Sequence, residues 1–281
     1  MKEAVNAQQS AIGKAKRRES GMERVYLIVR SVVLWLVSAA HFFVVCPLLV
    51  LLALFKNPRH NDAPQRWFSR NVVRLAGARV EARMAPGFDA SRTSFFVANH
   101  VSLFDPFVLY CAVPQYIRGL ELESHFKIPA YGWLMKRFGN VPVPDTRKPS
   151  DLKRMWRLTR AALDNGVCLV VFPEGKRTLD GSVGAFADGV FRMAHHSGTP
   201  IVPVSLVGAF EWDHKGSWML RPSKIVVHIH DTIETAGMSR EEVAALRERV
   251  RAIIAAPVEE HRETRNSKFE TRNSVPVSPR S

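Results

Sequence analysis

His100 and Asp105, five positions apart, are the first residues in this sequence whose types could carry out proton transfer. Histidine accepts a proton near neutral pH, and a carboxylate that binds its second N–H fixes the orientation and tautomer of the ring. On one continuous helix this spacing would separate the two side chains by about 140° around the axis. A turn between a strand and a helix removes that obstacle. We therefore expect the chain to reverse direction between them.

A second polar segment follows the most apolar strand-like run of the chain, residues 167–172. Ligands bind at the ends of such strands in open α/β sheets. A tight turn through Glu174 and Gly175, in which glycine permits a positive φ, would direct Lys176 and Arg177 over the sheet edge. Two cations beside exposed backbone amides suit a phosphate group. An ordinary solvated turn is the alternative that composition leaves open.

Both segments lie within an alternation of strand and helix patterns. The apolar periods predict strands at 79–83, 94–98, 167–172, 201–207 and 224–229, and helices at 63–75, 106–112, 150–164 and 186–196. Ser239 and Glu242 form a capping box that opens a final helix. Asp105 before Pro106 is also typical of a helix N-cap, a role compatible with orienting His100. The pattern predicts an α/β fold with a mixed, largely parallel central sheet flanked by helices.

The N-terminal part contains a long apolar run. From Ser31 to Phe55 no Lys, Arg, Asp or Glu occurs, and as a straight helix the run would extend roughly 37 Å, enough to cross a hydrocarbon core of about 30 Å. Pro47 should kink or break that helix, and basic residues flank both ends, which favours a bent, re-entrant pair of helices over one crossing. A signal peptide and a buried core helix are the alternatives.

Composition excludes several classes of protein. The 281 residues carry 40 basic and 26 acidic side chains, a net charge of +14, so anionic partners are expected. Hydrophobic residues at 46% exclude wholesale disorder, and three cysteines among apolar neighbours indicate a reducing compartment. We predict four regions: a flexible basic lead-in (1–24), a membrane-inserted helical segment that is either a re-entrant pair or a single span (25–60), an α/β domain (61–257) and a disordered polar tail (258–281).

Three motifs together resemble a known family. His100 with Asp105, the Phe-Pro-Glu-Gly-x-Arg element at 172–177 and the Ile-Val-Pro-Val stretch at 201–204 resemble, in order and spacing, blocks of the glycerolipid acyltransferases, specifically the bacterial 1-acylglycerol-3-phosphate acyltransferase type. The resemblance runs from about Phe68 to Ile233. It departs from the family in another block, where the usual Ile-Asp-Arg is replaced by the sequence 143–147, and at Lys176, where the family usually has Thr.

The resemblance implies a membrane-bound O-acyltransferase that moves a fatty acyl group from acyl-CoA or acyl carrier protein to the sn-2 hydroxyl of 1-acylglycerol 3-phosphate, on the cytoplasmic face of the inner membrane. It implies that His100 is the general base and Asp105 its partner. The residues that it implies for the acceptor are Arg177, Lys176, Arg147 and Lys127 at the phosphate, and Glu174 and Gly175 for positioning. It implies no cofactor.

The sequence is compatible with two other functions: an acyltransferase for another lysolipid, a lysophospholipid or a lyso-aminolipid, and a non-catalytic basic module that binds anionic membranes. We expect no nucleic-acid partner, because glycine-aromatic RNA-binding signatures are missing and the basic residues concentrate near the apolar run. His228 and His230 alternate with apolar residues on one strand, which favours an outward strand face over a metal site.

Overall fold

The computed structural model describes residues 21–60, 62–128, 131–146 and 148–273. Seven strands form one sheet in the order β1-β7-β6-β2-β5-β3-β4. The strands are β1 (Ala78–Met84), β2 (Phe95–Ala98), β3 (Ile117–Leu122), β4 (Val141–Val143), β5 (Cys168–Val171), β6 (Ile201–Val207) and β7 (Ser223–Ile229). All neighbouring strands are parallel except β6 and β7, which are antiparallel. The predicted mixed, largely parallel α/β sheet is therefore confirmed.

Helices cover both faces of this sheet. They are α1 (Gly21–Phe55), α2 (Ala63–Leu75), α3 (Asp105–Ala112), α4 (Tyr131–Arg137), α5 (Pro149–Asp164), α6 (Gly189–Ser197), α7 (Ala209–Trp212) and α8 (Arg240–Asn273), with a 3-10 turn at Glu123–Lys127. The helix predicted at 63–75 and the strand predicted at 201–207 have those bounds in the structure.

The central strand β2 separates two apolar clusters, because successive side chains of a strand point to opposite faces. Phe96 and Ala98 join α1, α2 and α3 on one face, whereas Phe95 and Val97 join α5, α6 and α8 on the other. All four side chains are fully buried. A fully buried phenylalanine contributes about 1.5–3 kcal/mol, so this short strand is held firmly from both sides.

The apolar N-terminal run forms one helix rather than the bent pair that Pro47 predicted. Pro47 lies inside α1, which is continuous over 35 residues. The buried residues Ser31, Ser38, Cys46, Leu49 and Ala53 follow one stripe along the helix. That stripe packs against the domain and supports the helix past the proline. Within the described residues α1 is the one helix long and apolar enough to cross a membrane by length and composition, and most of its surface is exposed.

The last helix is longer than the sequence predicted. The polar segment from residue 258 was expected to be disordered, whereas α8 continues to Asn273. Val258 is buried against the second cluster, and Arg265, two turns further along, forms an ion pair with Glu211 of α7. These contacts hold one helix face to the domain, which is the physical reason for the extension. Residues 274–281, and the lead-in at 1–20, lie outside the described residues.

Candidate active site

The residues with candidate chemistry lie at one edge of the sheet. His100 follows the carboxyl end of β2 by two residues, and Phe172 to Glu174 follow β5 directly. Because β2 and β5 are parallel neighbours, their carboxyl ends meet at the same edge. This is the position at which open α/β sheets bind their ligands. The two motifs, some 70 positions apart in sequence, are thereby brought together.

The chain reverses between His100 and Asp105, and the two side chains meet. His100 Nδ1 lies 2.8 Å from Asp105 Oδ2, and the same oxygen accepts the backbone N–H groups of Val101 at 2.7 Å and Ser102 at 2.9 Å. Asp105 is the first residue of α3, and Phe104, the residue before it, makes no side-chain cap. The Asp105 carboxylate thus points back into the loop instead of capping the helix that follows.

This geometry determines which ring nitrogen of His100 is free. An oxygen that receives two amide hydrogens acts as an acceptor, so the proton on the ring lies on Nδ1 and Nε2 has an available lone pair. The ring is 23% exposed, and it stacks on Phe172 with centroids 4.2 Å apart and planes 18° apart. No hydrogen bond to Nε2 occurs among the described residues. The ring therefore presents a basic nitrogen at the sheet edge.

Burial raises the pKa of Asp105, which is fully enclosed, while the hydrogen bonds from His100 and the two amides oppose that rise. An enclosed carboxylate interacts strongly with a neighbouring positive charge, because little water screens it. Asp105 is consequently placed to stabilise His100 when the ring takes up a second proton.

Glu174 binds backbone N–H groups through both of its carboxylate oxygens. Its Oε1 accepts the backbone N–H of His100 at 2.8 Å, and its Oε2 accepts that of Gly184 at 2.9 Å. A Cβ on Gly184 would lie 2.9 Å from Oε2, so glycine permits this approach. Burial raises the pKa of Glu174, and the two amide hydrogen bonds oppose the rise. Glu174 therefore links the two motifs by fixing the position of His100.

The cationic turn has the predicted backbone and unengaged side chains. Gly175 has φ +66° and donates its N–H to the carbonyl of Phe172 at 3.0 Å. Lys176 is exposed and Arg177 partly exposed, and within the part of the chain that the structure describes neither side chain forms a hydrogen bond or an ion pair. The backbone N–H of Thr178 donates to the carbonyl of His100 at 2.9 Å. The two cations therefore directly precede a residue whose backbone is hydrogen-bonded to that of His100.

Of the two other residues predicted to bind the phosphate, one lies in the described structure and one does not. Lys127 ends the 3-10 turn that follows β3, the strand next to β5, and its side chain is exposed. It therefore lies at the same sheet edge. Arg147 lies outside the described residues. Sequence reasoning missed Phe172 as a stacking partner, and it also missed Asp213, a buried carboxylate that contacts the histidine loop. Both depend on packing, and no local pattern marks them.

Other candidate groups have structural partners. The rings of His228 and His230 stack with centroids 6.2 Å apart, and His230 Nε2 lies 2.8 Å from Ser205 Oγ. Among the described residues no group of three or more His, Cys, Asp or Glu side chains is arranged to hold a metal ion. Cys168 is buried in β5 as a free thiol, and burial raises its pKa.

Comparison with known proteins gives a consistent result. Residues 79–207 match the family model for acyltransferases. The chloroplast 1-acyl-sn-glycerol-3-phosphate acyltransferase of Brassica napus is 29% identical over 192 residues, which are 66% of this chain and 54% of that protein. The Pseudomonas aeruginosa protein of the same name is 24% identical over 237 residues, 83% of this chain and 91% of that one. The chain spans about half the length of the plant relatives.

The fold has a solved counterpart. The crystal structure of the 1-acyl-sn-glycerophosphate acyltransferase from Thermotoga maritima superposes with a TM-score of 0.68 at 24% sequence identity, covering 84% of this chain and 96% of that one. That likeness establishes the fold. The resemblance that the sequence motifs predicted is confirmed separately, by the family match and the curated relatives.

Proposed function

We propose, from the match of residues 79–207 to the acyltransferase family model and from the similarity to bacterial and plant homologues, that this chain transfers a fatty acyl group from a thioester donor to the sn-2 hydroxyl of 1-acylglycerol 3-phosphate, forming phosphatidic acid. The proposal is carried by one observation. His100 Nδ1 is hydrogen-bonded to a buried carboxylate, which leaves Nε2 as a free base at the sheet edge where Lys176 and Arg177 have no partner among the described residues.

The reaction follows from this geometry. His100 Nε2 removes the proton of the acceptor hydroxyl as the hydroxyl oxygen attacks the thioester carbonyl carbon. Asp105 stabilises the imidazolium that forms. When the carbon–sulfur bond breaks, the imidazolium returns the proton to the leaving thiolate, and the base is regenerated. The donor is already an activated ester, so no acyl-enzyme is required.

The cations supply the recognition of the acceptor. Arg177 can bind a phosphate through two parallel N–H groups, and Lys176 and Lys127 add positive charge at the same sheet edge. Arg147 is proposed to join them from the segment between β4 and α5. Gly175 and Glu174 act by shaping the turn and by fixing the loop opposite it.

We propose that the long apolar helix α1 attaches the enzyme to a membrane, because its length and composition would allow it to cross one. Exposed apolar side chains such as Val33, Leu36 and Phe43 cover α1, and basic residues flank it. We place the enzyme on the cytoplasmic face of the inner membrane, where the positive-inside rule and anionic lipids favour this charge. Acyl-CoA and acyl carrier protein are the candidate donors.

The test is acyl transfer by membranes or detergent-purified protein, with labelled acyl-CoA or acyl carrier protein and a panel of lysolipids. We expect transfer to 1-acylglycerol 3-phosphate above all other acceptors. His100→Ala should lower kcat by at least about 1,000-fold while membrane binding persists, because its general base is lost. His196→Ala, which removes an exposed histidine of α6, is the matched control and should retain full activity.

The panel also distinguishes a second candidate. The departure at 143–147 and the lysine at 176 alter the residues implied for the phosphate, which favours testing other lysolipids. Transfer to a phosphate-free lyso-aminolipid at a higher rate would replace the proposed acceptor while keeping the chemistry. Full activity in purified His100→Ala would end the general-base proposal.

A further inference from the structure

The loop that joins His100 to Asp105 has a second support besides Glu174. Asp213 directly follows α7, beyond the end of β6, and is only 4% exposed. It belongs to none of the motifs that the family resemblance covers. Its carboxylate is hydrogen-bonded to this loop, and the chemistry described above assigns it no part.

Asp213 binds the middle of the loop through one oxygen. Its Oδ2 accepts the hydroxyl of Ser102 at 2.7 Å and the backbone N–H of Leu103 at 3.1 Å. The Ser102 hydroxyl in turn accepts the backbone N–H of Phe104 at 3.0 Å. One buried carboxylate therefore orders three consecutive residues of the loop.

Ser102 connects Asp213 to the catalytic pair. While its side chain donates to Asp213, its backbone N–H donates to Asp105 Oδ2 at 2.9 Å, the oxygen that also receives His100 Nδ1. A shift of Ser102 would move one of the three donors on that oxygen. The position of Asp105 relative to His100 thus depends on a contact that lies outside both residues.

The residue before Asp213 supports the same loop by packing. Trp212 is fully buried and stacks on Phe104 with centroids 4.7 Å apart, and its Nε1 donates to the carbonyl of Ala76 at 2.8 Å. The indole is therefore anchored to the end of α2 while its face holds the residue that precedes Asp105. Trp212 and Asp213 together leave the loop little freedom.

The buried carboxylate at 213 has no cationic partner within the ranges that the structure describes. Taking a charge out of water is costly unless hydrogen bonds satisfy it. Hydrogen bonds to a charged acceptor are stronger than those to a neutral one, so a carboxylate at this position holds the loop more tightly than an amide. The hydrogen bonds from Ser102 and Leu103 offset part of the cost of burying this carboxylate.

We propose that Asp213 is a positioning residue of the acyltransferase, which acts through Ser102 to hold Asp105 against His100. The inference rests on the proposed function, in which that pair performs the proton transfer. Misplacement of reacting groups by about 1 Å costs up to about 100-fold in rate, so loss of this contact should lower kcat without weakening acceptor binding.

The experiment compares Asp213→Ala, Asp213→Asn, Ser102→Ala and the Ser102→Ala/Asp213→Ala double variant, each as the full chain. We expect Asp213→Ala to lower kcat about 10- to 100-fold with the KM for the acceptor nearly unchanged. Asn keeps an oxygen acceptor and should restore kcat to within about fivefold of the wild type. Ser102→Ala should resemble Asp213→Ala, and the double variant should lose no more than the worse single one.

A second measurement does not depend on activity. In 15N-histidine-labelled protein, the proton on His100 Nδ1 should give a low-field signal, assigned by its absence in His100→Gln. We expect Asp213→Ala to shift or broaden that signal and Asp213→Asn to keep it. Asp164→Ala, which removes an exposed carboxylate at the end of α5, is the matched control for both measurements.

The outcomes separate the two proposals. Wild-type protein that transfers no acyl group to 1-acylglycerol 3-phosphate contradicts the proposed function, while the signal of His100 still tests Asp213. A wild-type signal and an unchanged kcat in folded Asp213→Ala overturn the positioning role. So does a double variant whose loss equals the product of the two single losses, because independent effects would multiply.

Discussion

Two segments at the same sheet edge are held in opposite ways. The loop from His100 to Asp105 is bonded by Asp105 itself, by Glu174 and by Asp213, so that almost every residue of it has a defined partner. The cationic turn next to it has a fixed backbone, yet the side chains of Lys176 and Arg177 are unpaired in the described structure. The two segments lie at the ends of neighbouring parallel strands.

The contrast shows which step needs rigidity. Proton transfer requires a base within hydrogen-bond reach of the hydroxyl and in a defined orientation. Because the folded loop already fixes His100, the entropy cost of orienting the base is not added to the reaction barrier. Long basic side chains lose rotamer freedom only when a phosphate binds, so their recognition adapts to the ligand. We therefore expect changes in the loop to act on kcat and changes in the turn to act on KM.

Of the variants that test this contrast, Asp105→Asn should have the largest effect, on kcat. The amide oxygen can still accept from His100 Nδ1, but a neutral group does not stabilise the imidazolium. Its NH₂ would occupy the place of Oδ1, which is buried and has no hydrogen-bond partner among the described residues. We expect kcat to fall about 100- to 1,000-fold with little change in the KM for the acceptor. Steady-state kinetics with varied acceptor concentration measures both constants, and an equally large rise in KM would contradict the prediction.

Arg177→Ala should give the opposite split. Loss of the bidentate contact is expected to raise the KM for 1-acylglycerol 3-phosphate about 10- to 100-fold, with kcat changed less than about threefold. Arg177→Lys should recover part of the loss, because charge remains without the planar fork. Arg160→Ala, at an exposed ion pair with Asp164, is the control. Unchanged kinetics in Arg177→Ala would indicate that the phosphate is bound elsewhere.

Glu174→Gln sharpens the comparison because Glu174 joins the two segments. The amide retains one acceptor but faces a backbone N–H with its own NH₂, so we expect a loss of about 1–3 kcal/mol in unfolding free energy. Because the loosened loop still carries both catalytic residues, kcat should fall only about 10-fold. Urea unfolding and steady-state kinetics measure the two effects. A rise in the KM for the acceptor with unchanged kcat would instead indicate that Glu174 acts on the cationic turn.

The pH dependence of this variant has a defined sign. Because burial raises the pKa of Glu174, the folded chain binds more protons than the unfolded chain between the two pKa values, and the unfolding free energy falls as pH rises through that window. Glutamine carries no such proton. The stability advantage of the wild type over Glu174→Gln should therefore be larger near about pH 5 than near about pH 7.5.

Local patterns predicted much of the fold. The capping box has both hydrogen bonds, from Glu242 N–H to Ser239 Oγ at 3.2 Å and from Ser239 N–H to Glu242 Oε2 at 2.6 Å. The two edge-side strands β3 and β4 were missed. β3 contains Arg118, which is 5% exposed and bonds the hydroxyl of Tyr110 at 2.9 Å and Gln65 Oε1 at 2.7 Å. A buried arginine interrupts the apolar pattern that would predict a strand. Its partners Tyr110 and Gln65 lie on other elements, so the sequence around it does not reveal them.

The candidate site was predicted unevenly for a similar reason. His100, Asp105 and the turn at 172–177 lie in short motifs whose residue types suit their chemistry. Asp213 and the ring of Phe172 were not found, because their contacts with the loop arise where separate strands and helices meet. The helix beyond residue 258 was missed in the same way, since a polar sequence becomes ordered only against a partner such as Glu211.

The amino-acid sequence by itself determined the chemistry that is available: a histidine and a carboxylate at a strand-to-helix turn, a glycine turn with two cations, an apolar N-terminal run and alternating strand and helix periods. These are local properties, fixed by side-chain type and by backbone preference over a few residues. The tertiary structure decided which nitrogen of His100 is free, which carboxylates hold its loop and how far α1 and α8 extend. Those outcomes depend on distant segments whose contacts form only when the sheet is assembled and water is excluded.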